Sequence, residues 1–268
     1  MTPPDAPLSH AGRTLPSGRQ MPMLGFGTWQ LRGRDASQAT GWALAAGYRH
    51  VDTATVYRNE REVGEALAAS GLDRSDIFVT TKIPPDRADR ERQTLDDSLG
   101  LLGTDHVDLW LIHWPPDEGG IALETWKALV AARDQDRATD IGVSNYSLDQ
   151  LDDLAAGSGV MPSVNQIEWS PLLFDRAQLD GHRERGVVLE GYSALRGGTL
   201  ENPVIVAIAQ RLRRTPAQVI IRWHLQHEVV VIPKSRERER ITSNAAVDGF
   251  ALDPTDMAEL DSLGSRSS

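Results

Sequence analysis

The chain has 268 residues, 40% of them hydrophobic and 25% charged, a composition that supports a sizeable packed core and excludes a largely disordered chain. Its 28 Lys and Arg against 38 Asp and Glu give a net charge of −10, which excludes a broad electrostatic footprint for nucleic acid or an anionic membrane; an anionic ligand must meet a local basic pocket. The absence of cysteine excludes disulfides, thiol catalysis and thiolate-held zinc.

Met1 to Pro7 is Pro-rich and has neither the basic start nor the apolar stretch of a secretory signal, and no run reaches membrane-spanning length, so a cytoplasmic protein is expected. From Ser9 to Leu24, short mixed segments flank the turn-like Pro16-Ser17-Gly18, which predicts a β-hairpin. The pattern then becomes regular. Strand-length apolar runs fall at Met23–Gly27, Tyr48–Asp52, Ile77–Lys82, Val107–His113, Thr139–Ser144, Ser163–Glu168, Val187–Tyr192 and Val229–Ile232. Between them, helical periodicity marks Ser37–Ala46, Glu60–Ala69, Arg90–Leu102, Leu123–Arg133, Leu148–Ala155, Arg176–Arg185 and a doubled stretch over Val204–Gln226. Asp35 or Ser37, Asn59, Ser147, and Thr215 followed by Pro216 are the expected helix caps. A last amphipathic helix is predicted over Pro254–Leu263.

Strand and helix alternation at this spacing implies a parallel sheet, open or closed. No Gly-x-Gly-x-x-Gly turn joins a strand to a helix, and Gly25-Phe26-Gly27-Thr28-Trp29 breaks that pattern at its third position. With eight βα units as well, the expectation is an α/β protein of (β/α)8 TIM-barrel type, one domain over 1–268 with flexible ends at 1–7 and 264–268.

In such a barrel the chemistry gathers at the carboxyl ends of the strands. The polar residues closing the apolar runs are Asp52, Lys82, His113, Ser144 with Asn145, Gln166 with Glu168, Tyr192 with Ser193, and Lys234 with Ser235. Singly, each reads as a cap, a solvated side chain or a hydrogen-bonded structural residue. Jointly, Asp52, Tyr57 and Lys82 make a device for shifting a phenol's acidity. A phenol titrates near ~10, and an adjacent ammonium held by a carboxylate favours the phenolate left after proton donation. His113 adds a donor for a carbonyl oxygen. That set polarises carbonyls but has no reducing group of its own, so the reducing equivalent must come from a cofactor. His224-x-x-His227 shares a helical face, but a third ligand is lacking and no metal site is expected. The run Arg236 to Arg240 alternates in sign and reads as a solvated face apart from Arg240.

The residues from Leu24 to Arg240 closely resemble the aldo-keto reductase superfamily, in particular bacterial members of the 2,5-diketo-gluconate reductase type. The resemblance rests on Gly47-Tyr48-Arg49-His50-Val51-Asp52-Thr53-Ala54-Thr55-Val56-Tyr57, Thr81-Lys82, Val107 to Pro115, Gly142-Val143-Ser144-Asn145-Tyr146, Asn165-Gln166-Ile167-Glu168 and Ile232-Pro233-Lys234-Ser235. It implies that the hairpin closes the bottom of the barrel and that Asp52, Tyr57, Lys82 and His113 form a catalytic tetrad. It implies an NADPH site in which Ser144, Asn145 and Gln166 hold the carboxamide and Tyr192 stacks under the nicotinamide. Lys234, Ser235 and Arg240 would meet the 2′-phosphate, and Gly27, Thr28, Trp29, Ser193, Leu195 and Asn244 would complete the cofactor contacts. The substrate, a small carbonyl compound, would lie against Trp29, Tyr57, His113 and Trp114, in a protein expected to be monomeric.

Three departures bear on that picture. Ser243 stands where many relatives have Glu before the adenine-facing Asn, and Pro84 stands where many have Trp. The loop after Pro115 and the C-terminal tail are short. A wide pocket of modest selectivity is therefore expected. Two alternatives remain at this point: a catalytically silent NADP-binding relative with a structural or regulatory role, and a non-redox barrel enzyme using Lys82 as a Schiff-base amine.

Overall fold

The computed structural model describes residues 11–116, 120 and 122–264. Of the expected flexible ends at 1–7 and 264–268 only Gly264 is among those residues; the first residues of the hairpin and most of the loop after Pro116 also lie outside them. Eight parallel strands follow one another around the sheet in chain order: β3 (Phe26–Gly27), β4 (His50–Asp52), β5 (Phe78–Ile83), β6 (Val107–Ile112), β7 (Ala138–Ser144), β8 (Val164–Glu168), β9 (Val188–Tyr192) and β10 (Val230–Val231). Every residue of β5 and β6 is buried, as expected where side chains fill a barrel on one face and meet helices on the other. The seam closes where Leu24 bridges Val231: Gly25 N–H donates to Val231 O at 2.9 Å, and Val231 N–H to Met23 O at 2.9 Å. Glycine is required at this seam. A Cβ on Gly27 would stand 2.7 Å from Ile232 O, and one on Gly25 would stand 2.6 Å from His50 Nδ1.

Ten helices are described: α1 (Arg34–Ala45), α2 (Glu60–Ala69), α3 (Glu91–Leu102), α4 (Leu123–Asp134), α5 (Leu148–Ser158), α6 (Arg176–Glu184), α7 (Pro203–Leu212), α8 (Pro216–Gln226), α9 (Arg238–Ala245) and α10 (Pro254–Asp261). Ser147 and Thr215 cap α5 and α8 through capping boxes with Gln150 and Gln218, as their sequences predict. Two expected caps differ. α1 starts at Arg34 after Gly33, whose positive φ of 49° turns the chain, so Asp35 falls inside the first turn instead of ahead of it. Asn59 precedes α2 but does not cap it with its side chain. Its Nδ2 donates to Thr28 O and Leu31 O, both at 2.9 Å, and its Oδ1 accepts from Thr53 at 2.7 Å, tying together the loops that carry the barrel mouth. The charge run around Arg236 leads into α9, where Ile241 and Asn244 are buried against the barrel. None of these helices is long and apolar enough to cross a membrane.

The hairpin of β1 (Gly12–Thr14) and β2 (Gln20–Pro22) covers the amino ends of the strands. Its turn is anchored by charge. Arg19 Nε donates to Asp108 Oδ1 at 2.8 Å, Arg74 reaches Asp108 Oδ2 at 2.8 Å, and Val79 N–H donates to the same oxygen at 2.9 Å. Ser17 bonds Asp140 through both its hydroxyl and its N–H. The buried Asp108 thus has complementary partners on each oxygen, as a buried carboxylate requires.

The two histidines of α8 have separate partners. His224 lies 2.8 Å from Ile220 O through Nδ1, whereas His227 lies 2.7 Å from Asp261 Oδ1, an oxygen that also accepts from Trp223. His227, just past the end of α8, ties that helix to α10, whereas His224 faces Trp169 O at 3.3 Å on the barrel side.

Candidate active site

The opposite end of the barrel holds a cavity of about 990 Å³, lined from Gly27 at the exit of β3 to Asn244 in α9. Parallel strands bring their carboxyl ends to one mouth, so residues far apart in sequence converge there. Asp52 ends β4, Lys82 lies in β5, and His113 follows β6. Lys82 is fully buried. Its Nζ donates to Asp52 Oδ1 and Oδ2, both at 2.7 Å, and to Thr53 O at 2.9 Å. Burial acts to lower its pKa, but Asp52 and then Tyr57 outweigh burial, and the net shift is upward.

Tyr57 sits in a short turn, Thr55–Tyr57, that Thr55 fastens to β5 by donating to Lys82 O at 2.8 Å. The Lys82 ammonium lies 5.2 Å from the centroid of the Tyr57 ring, and His113 meets the ring edge-on at 5.7 Å between centroids. Burial raises the Tyr57 pKa more than Lys82 lowers it, so the phenol stays protonated at neutral pH. Its acidity is therefore not depressed at rest; the ammonium moderates an increase caused by burial. Burial, reinforced by Lys82, pushes His113 down to about 3, which leaves a neutral imidazole at the mouth.

Deeper along the cavity, Ser144 ends β7 in register with Gln166 in the middle of β8, and Asn145 adopts φ 66° at the exit of β7. Asn145 Nδ2 donates to His113 O at 3.1 Å and Ser144 Oγ at 2.9 Å, while its Oδ1 accepts from Tyr192 at 2.7 Å. Burial, then Glu168, raises the Tyr192 pKa to about 12, so its hydroxyl remains a donor. Gln166 points its Nε2 inward, to Asp52 Oδ2 at 2.8 Å and Glu190 Oε2 at 2.9 Å. Ser193 and Leu195 continue the lining beyond Tyr192.

The far end is cationic. Lys234, Ser235, Arg240, Ser243 and Asn244 line it together with Arg196. Burial first, then Arg236 and Arg196, lower the Lys234 pKa, the signature of cations gathered without an equal set of anions. Arg240 pairs with Glu237 at 2.9 Å on an exposed face, and Ser235 accepts from Glu237 N–H at 3.0 Å. α9 itself begins at Arg238, so the Ser235 hydroxyl stands one loop short of the helix start.

Trp29 and Trp114 are 40% and 49% exposed at the rim, large apolar side chains left open beside Tyr57 and His113. Of the residues singled out in the sequence, Thr28 and Lys82 do not line the cavity. Thr28 is fully buried and its hydroxyl donates to Asp52 O at 2.9 Å, so it steadies the strand end behind the cavity wall. Arg196 and Glu190 were not singled out. Arg196 holds its guanidinium 4.8 Å above the Trp29 ring, just before Gly197 and Gly198, whose positive φ values bend the loop; the Gly-Gly pair was the available signal.

A sequence profile of the Aldo/keto reductase family matches residues 23–265. An aldo-keto reductase of Mycolicibacterium smegmatis is 45% identical over 253 residues, covering 93% of this chain and 92% of that protein. The morphine 6-dehydrogenase of Pseudomonas putida is 42% identical over 265 residues, covering 93% and 90%. Among solved structures, a mutant of Gox0644 in complex with NADPH superposes with a TM-score of 0.90 at 38% identity, covering 95% of this chain and 93% of that one. The chain belongs to the aldo/keto reductase family.

Proposed function

We propose that this chain reduces aldehydes or ketones to alcohols with NADPH, and that Tyr57 is the proton donor. The observation that carries this reading is the buried Lys82 ammonium, fixed by three acceptors and set 5.2 Å from the ring of a protonated Tyr57. NADPH, when bound, supplies the hydride to the carbonyl carbon. Tyr57 gives its phenolic proton to the carbonyl oxygen, and Lys82 stabilises the phenolate that remains. Asp52 keeps Lys82 charged and aimed. Neutral His113 donates to the same carbonyl oxygen and orients it, between the walls made by Trp29 and Trp114.

The cavity suits a dinucleotide. Its amide and hydroxyl end, at Ser144, Asn145 and Gln166, matches a carboxamide; Tyr192 offers a ring to stack upon; the surplus of cations at Lys234, Arg196 and Arg240 matches phosphate charge. Lys82 does not suit a Schiff base: a buried ammonium holding three acceptors has no free amine to attack with. The convergence of Asp52, Tyr57, Lys82 and His113 at one mouth favours turnover over a catalytically silent role. The open rim and the volume of the cavity favour broad acceptance of carbonyl compounds.

The test is NADPH oxidation, followed by absorbance, across simple aldehydes, keto sugars and diketones. Oxidation with several members of the panel is expected. Tight NADPH binding without turnover of any of them would instead support the silent relative.

A further inference from the structure

Beneath the Asp52–Lys82 pair lies a second buried polar layer that the proposed chemistry does not use. Glu190, in the middle of β9, is fully buried. One carboxyl oxygen, Oε2, accepts from Gln166 Nε2 at 2.9 Å; the other, Oε1, has no hydrogen-bond partner and faces His50 Nε2 at 3.7 Å. His50 is also fully buried. Its Nδ1 lies 3.3 Å from Pro22 O, and a carbonyl only accepts, so the hydrogen of a neutral ring belongs on Nδ1. Nε2 is then an acceptor, and the Thr80 hydroxyl, 3.2 Å away, is placed to donate to it; Glu190 Oε1, at 3.7 Å, is beyond hydrogen-bond reach and is the polar atom left unpaired.

Gln166 Nε2 donates to both Asp52 and Glu190, so a charged Glu190 would set a second carboxylate beside Asp52 with one oxygen unsatisfied in a closed interior, and a proton on Glu190 removes that conflict. We infer that Glu190 carries a buried proton and that, uncharged, it is a positioning residue for Gln166. The Gln166 amide nitrogen spends one hydrogen on Asp52 and the other on Glu190, which turns its Oε1 toward the cavity. Without Glu190, one of those hydrogens loses its acceptor and the amide is free to reorient. The inference rests on the reading of the cavity as a cofactor site, since that reading gives the exposed Oε1 its partner, the carboxamide.

Electrostatics agree with the placement. The titratable groups of this layer are His50 and Asp52 from β4, Lys82 from β5, Tyr57 from the turn after β4, and Glu190 from β9, with Asp108 acting on His50 from below. A single ammonium serves them all. A second carboxylate beside Asp52 would be unbalanced, and burial, then Asp52, drive the Glu190 pKa well above the carboxylate range. Burial likewise pushes His50 down to about 4. Loss of the Glu190 proton at alkaline pH would place a new negative charge near Tyr57, making the phenol a weaker acid.

Glu190→Gln and Glu190→Met separate the possibilities. In the infrared difference between wild type and Glu190→Gln, a protonated-carboxyl C=O band is expected to vanish. NADPH titration should give Glu190→Gln an affinity within about twofold of wild type, since an uncharged Gln accepts from Gln166 as Glu190 does, whereas Glu190→Met should bind roughly tenfold more weakly. The alkaline limb of single-turnover hydride transfer should move to higher pH in Glu190→Gln. Loss of a carboxylate band in place of the C=O band, or Glu190→Gln as impaired as Glu190→Met, would overturn the inference. So would Glu190→Met binding NADPH like wild type. If Glu190→Met does not fold, the band and the alkaline limb in Glu190→Gln still decide. The infrared readout needs neither cofactor nor substrate, so it stands apart from a failure of the wild type to bind or oxidise NADPH.

Discussion

Asp108 at the foot of the barrel in β6 and Asp52 at its mouth in β4 are both almost fully buried carboxylates on the two strands that flank β5, yet their surroundings differ in kind. Asp108 is met by two guanidinium groups and a backbone N–H, and both arginines fan out to further carbonyls at Ser75, Ile77 and His106. Each donor there has an acceptor, and the hairpin seals the arrangement. Asp52 shares one ammonium with its neighbours, and around it the polar groups are left incomplete: His113 Nδ1 has no partner, Glu190 Oε1 has none, and the cations at the far end of the cavity repel one another. The foot resembles a fastening with every polar atom used; the mouth keeps unused hydrogen-bonding capacity and unbalanced charge, the condition of a surface that awaits a ligand.

Substitutions at the two ends should therefore separate activity from stability. The largest effect is expected from Tyr57→Phe, which removes one hydroxyl at the mouth: hydride transfer should fall by roughly 10²- to 10⁴-fold while Tm and NADPH affinity barely change. Lys82→Met acts through the same phenol, so the double variant should lose far less than the product of the single losses; single-turnover rates of all four proteins give the cycle, and additive losses would dissolve the proposed partnership.

At the foot the expectation reverses. Asp108→Ala strands two arginines that are partly open to solvent, and should cost about 3 kcal/mol in chemical denaturation while leaving the single-turnover rate of the folded fraction unchanged. A rate that fell in proportion to stability would mean that the two ends are coupled.

Smaller is the effect at the cationic end of the cavity. If both side chains meet the 2′-phosphate as proposed, replacing Lys234 and Arg240 together by Ala should weaken NADPH by on the order of a hundredfold and NADH by much less. Equal losses for both cofactors would remove that assignment. The smallest effect concerns pH. With His113 neutral above about 3 and Tyr57 protonated well past neutrality, neither group changes state in between, so hydride transfer should be flat from roughly pH 5 to 7. An inflection there would point to a different acid.

Much of this was legible in the sequence because a parallel barrel writes its mouth at the carboxyl ends of apolar runs. Asp52, Lys82, His113, Ser144 and Gln166 each closed such a run, and the structure brings all five to one end. The rest was hidden for physical reasons. Glu190 lies inside the run Val187 to Tyr192, and no periodicity tells which face of a doubly buried strand looks into the barrel. Arg196 acts from a loop, where position depends on two positive-φ glycines. α9 carries too little apolar periodicity among its charges for its full length to register, since Ile241 is its one buried aliphatic side chain. Asn59 looked like a cap by type and place, but its amide stitches three loop segments instead, a role that only tertiary proximity reveals.

The seam between Leu24 and Val231 has a consequence for how the protein comes into being. Asp52, Tyr57 and Lys82 emerge early in synthesis, whereas Tyr192, Lys234 and Arg240 emerge late, and the two groups share a cavity only when the last strand reaches the first. That closing contact spans most of the chain, so it carries a large loop-closure cost and comes late in folding. A nascent or truncated chain therefore holds Asp52, Tyr57 and Lys82 without the pocket. The ability to bind and the ability to react arise together, in one step, when the ring is completed.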